Sequence, residues 1–260
     1  MPSMKIRGLD VHYEAEGQGE PLVLLHHGTG CAKMWDKLTP GFAERYRVIR
    51  YDRRGFGDSE EGDRFREYYL SDEYSERSVE ELDGLLEGLG IRQGLRMVGQ
   101  CEGGAVAFEY AARYPDRVKA VVSSSTLCAS GITVGEYCKG KMYESLDAAD
   151  PEFQKKMFWW HGEARARNLY ALFVQMGGAY GAGVFDLRGV LRKVECPSLV
   201  LYPDRSGLFE VEQGVLMYRA LPKGELAVMA SCGHNTYLQT EEYQRQVLAF
   251  FQRHEGGARP

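Results

Sequence analysis

The sequence predicts an α/β protein, a mostly parallel sheet with helices on both faces. Two observations carry that expectation. Apolar runs of strand length at residues 21–26, 46–51, 95–98, 118–123 and 199–202 alternate with longer amphipathic stretches. This is the pattern of strands buried on both faces between crossover helices. The second observation is the stretch Val98-Gly99-Gln100-Cys101-Glu102-Gly103-Gly104, which follows one apolar run and leads into the Ala-rich residues 105–112. A strand turns there directly into a buried helix.

Composition narrows the class. A chain of 260 residues with 44% hydrophobic and 27% charged residues can bury a substantial core and fold as one α/β unit. The net charge of −5, with no Lys/Arg-rich run, argues against nucleic acid and against an anionic membrane surface as partners. Residues 1–6 lack the apolar core of a signal peptide and no run approaches membrane-spanning length, so a cytoplasmic protein is expected. Cysteines 31, 101, 128, 138, 196 and 232 form no CxxC pair. Free thiols are therefore expected, with neither a metal nor another cofactor.

Taken in order, residues 5–16 read as a strand pair, with Ile6, Leu9, Val11 and Tyr13 apolar and Gly17-Gln18-Gly19 closing it. The buried strand at 21–26 ends in His27-Gly28-Thr29-Gly30. A loop at the carboxyl end of a central strand is where an open α/β sheet builds its site. Its glycines admit a ligand close to the backbone, and the Thr29 N–H is a candidate oxyanion donor; the plainer alternative is a simple strand-to-helix turn. A helix over about 34–45 and a strand at 46–51 precede the loop Asp52-Arg53-Arg54-Gly55-Phe56-Gly57-Asp58-Ser59. Residues 60–74, acidic and tyrosine-bearing, read as a solvated face, with substrate gating as the alternative. A helix follows from Ser75 with capping chemistry, a stripe of Leu82, Leu85, Leu86 and Leu89, and a stop at Gly90.

Beyond the central turn, residues 114–117 stop the helix and 118–123 form a strand. Residues 126–190 then break the alternation with short helices at 153–160 and 165–176 and a glycine cluster at 177–183, a hinge or a plain loop. A strand at 196–202, a helix at 210–220 and a last strand at 225–229 lead to Ser231-Cys232-Gly233-His234-Asn235. The closing amphipathic helix at 240–253 turns Tyr243, Val247, Phe250 and Phe251 inward, and residues 255–260 read as frayed.

The segment around Cys101 has the G-x-Nuc-x-G form of a nucleophile elbow. Its central residue sits on a strained turn, and side chains at Gly99 or Gly103 would collide as strand and helix approach. Serine is the usual occupant; here cysteine stands, a candidate catalytic thiol. The bland alternative is a buried structural cysteine.

Four segments, HHGTG, YDRRGFGDS, VGQCEGG and CGHN, stand in the order and spacing of the α/β-hydrolase superfamily. The chain resembles most the branch of enol-lactone hydrolases, carbon–carbon bond hydrolases and cofactor-free haloperoxidase-like esterases, from about residue 5 to about 252. The resemblance implies the α/β-hydrolase fold: a mostly parallel eight-stranded sheet built from residues 1–125 and 191–260, with a helical cap at 126–190 between strands 6 and 7. It implies Cys101 as nucleophile, His234 as general base, and the N–H groups of Thr29 and Glu102 as the oxyanion hole. Asp52, Arg53 and Arg54 take a structural role. The chain departs from the pattern at the acid. Ser206 stands where the orienting carboxylate usually does, so Asp204, two residues earlier, is the expected acid and Ser206 the alternative position. A second place for the acid, at 123–126, holds only hydroxyls. Cap aromatics Phe158, Trp159, Trp160 and Tyr180, with His27, are expected to line an apolar pocket.

A thiol starts near pKa ~8.5 and falls beside a helix N-terminus and an imidazolium, while the Glu102 carboxylate opposes ionisation. The macrodipole alone would also favour an acid at Glu102. The reading is a hydrolase that cleaves an ester, lactone or thioester of an apolar small molecule through an acyl-Cys101. Dienelactone hydrolases carry the same serine-to-cysteine exchange; the likeness to them is confined to elbow and fold. Transfer of the acyl group to another acceptor, or cyclisation, is one alternative, and a catalytically weak ligand-binding relative is another. Dehalogenase and epoxide hydrolase chemistry would need a carboxylate at position 101.

Overall fold

The computed structural model describes residues 2–178, 180 and 183–255. Strands β1 (Ser3–Ile6) and β2 (Leu9–Glu16) form the expected hairpin, and β2 pairs antiparallel with β4 (Tyr46–Tyr51). The other strands of this sheet, β3 (Glu20–Leu25), β5 (Leu95–Gln100), β6 (Val118–Ser124), β9 (Ser198–Pro203) and β10 (Gly224–Met229), run parallel with β4. The eight-stranded order is β1-β2-β4-β3-β5-β6-β9-β10. The expected mostly parallel sheet is the one found.

Strand alternation sorts the core onto two faces. Val23 and Leu25 of β3 pack with Leu82, Leu85 and Leu86 of α3 (Tyr74–Gly88), with Phe108 of α4 (Glu102–Arg113) and with Met217 of α9 (Val211–Ala220). Leu22 and Leu24 pack on the opposite face with Phe42 of α1 (Thr39–Ala43) and with Tyr243, Val247, Phe250 and Phe251 of α10 (Thr240–Arg253).

Two readings of the first half change. The expected helix at 34–45 is a 3-10 turn, Ala32–Trp35, followed by the short α1, because Pro40 suits the first turn of a new helix better than the interior of a long one. Residues 60–74 are not simply a solvated face. Phe65, Tyr68 and Tyr69 of α2 (Phe65–Tyr69), with Tyr74, form an aromatic cluster against Phe56 and against Leu169 and Leu172, while Glu60, Asp63, Glu67, Asp72 and Glu73 stay exposed. At the start of α3 no side chain caps the helix; Ser75 Oγ donates instead to the Glu109 carboxylate.

Between β6 and β9 the chain leaves the sheet. It forms β7 (Ala129–Thr133), α5 (Val134–Tyr137), α6 (Pro151–His161), α7 (Glu163–Met176), β8 (Val184–Asp186) and α8 (Arg188–Leu191). The antiparallel ribbon of β7 and β8 has too few residues to show in the sequence pattern. Asp150 opens α6 by accepting hydrogen bonds from the N–H groups of Glu152 and Phe153. Within the glycine cluster at 177–183, Ala179, Gly181 and Ala182 lie outside the described residues, as do 256–260 of the expected frayed end. Among the described residues no helix is long and apolar enough to cross a membrane.

Candidate active site

Parallel strands place their carboxyl ends on one edge, and the candidate residues follow β3, β5, β9 and β10 there. Between β5 and α4, Cys101 has φ +53° and ψ −118°, a conformation that costs a non-glycine residue. It is held by two hydrogen bonds: Cys101 N–H donates to the Ser124 carbonyl at 2.7 Å, and Thr126 Oγ1 donates to the Cys101 carbonyl at 2.8 Å. The flanking glycines have the mechanical role expected of them. A Cβ on Gly99 would lie 2.3 Å from the Gly103 carbonyl oxygen, and one on Gly103 would lie 2.3 Å from that of Leu25.

Cys101 and His234 border one cavity of about 270 Å³, together with His27, Gly28 and Thr29. Its apolar walls include Met142, Tyr143, Phe153, Tyr170, Phe173 and Leu208. The cap aromatics expected there are placed differently. Trp159 is 61% exposed, because it lies on the outer side of α6. Trp160 is buried edge-to-face with His27, their ring centroids 5.8 Å apart, and half-buried Phe158 lies under the Arg167 guanidinium. None of these three borders the cavity. Tyr180 does reach Cys101, its hydroxyl standing 3.4 Å from Cys101 Sγ. The period of α6 and α7 was the available signal for the true lining, since Tyr170 and Phe173 are three residues apart on one helix face.

The His234 loop is anchored by its backbone. Gln100 Nε2 donates to the His234 carbonyl at 2.8 Å and Ser125 Oγ donates to the same oxygen at 2.6 Å. Gln100 Oε1 in turn accepts from Ser124 Oγ at 2.7 Å and Thr236 Oγ1 at 2.8 Å. Neither Gln100 nor Ser125 was singled out from the sequence as holding His234. The imidazole Nδ1 lies 3.1 Å from Ser206 Oγ, and burial pushes its pKa down to about 4.

The acid expected at Asp204 is not found against the histidine. Its carboxylate accepts the N–H groups of Ser231 at 3.0 Å and Cys232 at 2.9 Å, which tie β10's outgoing turn to β9's. Those bonds hold its carboxyl below the ordinary range. Ser206 occupies the position beside the imidazole, the alternative left open by the sequence.

Two groups bear on the loop at 27–30, where the oxyanion donor was expected. Thr29 N–H donates to His27 Nδ1 at 3.2 Å, so this candidate donor has an internal partner. His161, at the end of α6, accepts from Gly57 N–H through Nδ1 at 2.9 Å and meets the Thr29 carbonyl through Nε2 at 3.1 Å. These partners fix the neutral Nε2–H form, and burial lowers its pKa to about 4.

Glu102 has more than a helix-terminal role. Its carboxylate is 2% exposed and lies 3.5 Å from Arg53 Nη2, which also donates to the carbonyls of His26 at 3.1 Å and His27 at 3.3 Å. A Cβ on Gly28 would meet Glu102 Oε1 at 2.2 Å. The carboxylate is thus wedged under the loop at 27–30. Burial, and then the Glu102 charge, push the Cys101 thiol well above its ordinary pKa, although the Tyr180 hydroxyl and the Glu102 N–H act against them. Burial of the imidazole acts in the same sense, so both shifts favour neutral thiol and neutral imidazole over the ion pair.

All six cysteines are buried free thiols. Among the described residues, His12, Asp52 and Asp58 approach one another as metal ligands could. Asp52 is taken up by the N–H groups of Ala32 and Asp58, and Lys33 neutralises Asp58 at 3.1 Å. This donor set suits a structural loop better than an ion.

Residues 20–160 match the family described as the alpha/beta hydrolase fold. The chain is 31% identical over 120 residues to a cis-3-alkyl-4-alkyloxetan-2-one decarboxylase of Shewanella oneidensis, covering 46% of this chain and 36% of that protein. It is 31% identical over 135 residues to a proline iminopeptidase of Lactobacillus helveticus, covering 50% and 44%. The chain thus spans less than half the length of each of these curated relatives. Among solved structures, the enol-lactonase from Burkholderia xenovorans superposes with a TM-score of 0.73 at 21% identity, over 96% of this chain and 100% of that one.

Proposed function

The chain belongs to the alpha/beta hydrolase fold family, and on that premise we propose that it is a hydrolase of activated acyl compounds (esters, lactones or thioesters) with Cys101 as nucleophile. One observation carries the reading: a cysteine strained to φ +53° at the elbow shares a cavity with His234. Such strain persists only where surrounding bonds over-determine it, and it clusters at functional sites. The cap of residues 126–190 roofs that cavity and selects an apolar acyl group through Met142, Phe153, Tyr170 and Phe173.

In the proposed cycle His234 Nε2 takes the thiol proton as Sγ attacks the carbonyl carbon. The oxyanion is held by the N–H groups of Glu102 and Thr29, the latter leaving His27 Nδ1. His234 returns the proton to the departing oxygen or sulfur, leaving an acyl-thioester. It then takes a proton from water, whose oxygen attacks the thioester; the acid leaves and the proton returns to Sγ. A neutral resting thiol restricts this chemistry to good leaving groups, since no thiolate is preformed. The test is turnover of aryl esters, enol lactones and acyl-thioesters by the wild type and by Cys101→Ala. Hydrolysis that disappears in the variant supports the reading; equal hydrolysis in both overturns it.

A further inference from the structure

Ser206 does more than fill the place of an acid. Its Oγ lies 3.2 Å from Leu208 N and 3.1 Å from Phe209 N, and both of these N–H groups donate to it. A hydroxyl has two acceptor lone pairs and one proton. With both lone pairs engaged, the remaining bond at Oγ is the one it donates, and the partner 3.1 Å away is His234 Nδ1. A carboxylate there would do the reverse, accepting a proton carried on Nδ1 and leaving Nε2 bare to act as a base.

We propose that Ser206 is a positioning residue that holds resting His234 in the Nε2–H form, the opposite of the form a catalytic triad uses. The base form is then a minor species. It is reached when the Ser206 hydroxyl turns to accept from Nδ1, Nε2 giving its proton to water and Nδ1 taking one back, with no net change. Protonation does not mask the choice near neutral pH, because burial keeps the ring neutral. Phe209, whose ring stands edge-on at 5.4 Å, supplies no competing hydrogen bond. Both proton transfers of the proposed cycle therefore run from a disfavoured tautomer. This inference rests on the reading of His234 as the base, and it makes the enzyme intrinsically slow at its own step of water activation.

The experiment is ring ¹⁵N spectroscopy of histidine-labelled protein at pH 7.5, with His234 assigned by its loss in His234→Gln. The wild type is expected to show Nδ1 as the bare nitrogen and Nε2 as the protonated one. In Ser206→Asp the two are expected to exchange, and in Ser206→Ala the signals are expected to move toward a mixture. A wild-type His234 protonated on Nδ1 overturns the inference, as does a pattern unchanged by Ser206→Ala. Kinetics supply a second readout: kcat for an aryl ester is expected to rise at least about tenfold in Ser206→Asp with KM within about threefold, since the wrong tautomer is costly in triads. A lower kcat in a folded Ser206→Asp counts against it. Absence of turnover in every form would remove the proposed hydrolase reading, yet the spectra would still decide the tautomer.

Discussion

Gln100 Nε2 donates to the carbonyl oxygen of His234 at 2.8 Å, so the residue before Cys101 holds the loop that carries His234. The two ends of the site are linked through one buried amide whose oxygen is also satisfied twice. Gln100→Met keeps the volume and removes the network. It leaves Ser124 and Thr236 hydroxyls short of a partner, at a cost of about 1–3 kcal/mol. The expected outcome is a lower denaturation midpoint together with a kcat reduced about tenfold or more, measured on the same preparation.

Glu102 is expected to restrain the thiol. Removing its charge in Glu102→Gln lowers the Cys101 pKa, so alkylation by iodoacetamide at pH 7.5 is expected to quicken several-fold and its pH profile to shift to lower pH. The same substitution leaves the buried Arg53 without its charge partner and is expected to destabilise the fold by about 3–5 kcal/mol. An alkylation rate unchanged in folded Glu102→Gln would show that burial alone sets the thiol.

Much of this was legible beforehand, for identifiable reasons. The parallel strands announce themselves as continuous apolar runs, and Gly99 and Gly103 are forced by a close approach that no other residue permits. Cys101 and His234 fall in loops whose spacing is fixed by those strands. The sequence left the partner of the imidazole open between Asp204 and Ser206, because a hydrogen-bonding role is a matter of direction. Asp204 and Ser206 are two residues apart in one turn; Ser206, in the position where the resemblance expects a carboxylate, meets the imidazole, while Asp204 turns to the Ser231 and Cys232 N–H groups. Trp159 and Trp160 are adjacent on one helix, and their residue types do not say which faces inward. The burial of Tyr68 and Tyr69 depends on a distant helix, α7, that packs over them.

His161 is expected to latch the cap onto the oxyanion loop, since it binds Gly57 N–H and the Thr29 carbonyl at once. His161→Phe keeps the ring packing and loses both bonds. Faster amide exchange at Gly57 and a kcat lowered about tenfold are expected, with partial recovery in His161→Gln. A misplacement of this order far from the reacting atoms can cost as much as a hundredfold. Unchanged exchange at Gly57 would remove the latch.

Stability is expected to fall on acidification below pH 6.5. His26, His27, His161 and His234 are all held below the ordinary value of 6.5, first by burial, with His161 and His234 down to about 4. Between pH 6.5 and 4 the unfolded chain binds protons that the folded one excludes, so their contribution is complete above 6.5 and is lost as pH falls toward 4. His161 and His234 each carry roughly 1.4 kcal/mol per pH unit within that window, and Glu81, whose carboxyl burial raises to about 7, offsets one of them in part. Urea midpoints from pH 7.5 to 4.5 check this; a midpoint that holds constant across the range contradicts it. By the same reasoning the acid limb of kcat/KM is expected near pH 4 rather than 6.5.

The most direct measurement is intact-protein mass spectrometry within seconds of mixing with an aryl ester. The expected result is a mass increase of one acyl group on the wild type, mapped to Cys101, persisting longer in His234→Gln and missing in Cys101→Ala. Turnover without any acyl adduct on Cys101, or an equal adduct in Cys101→Ala, would contradict the role given to that thiol.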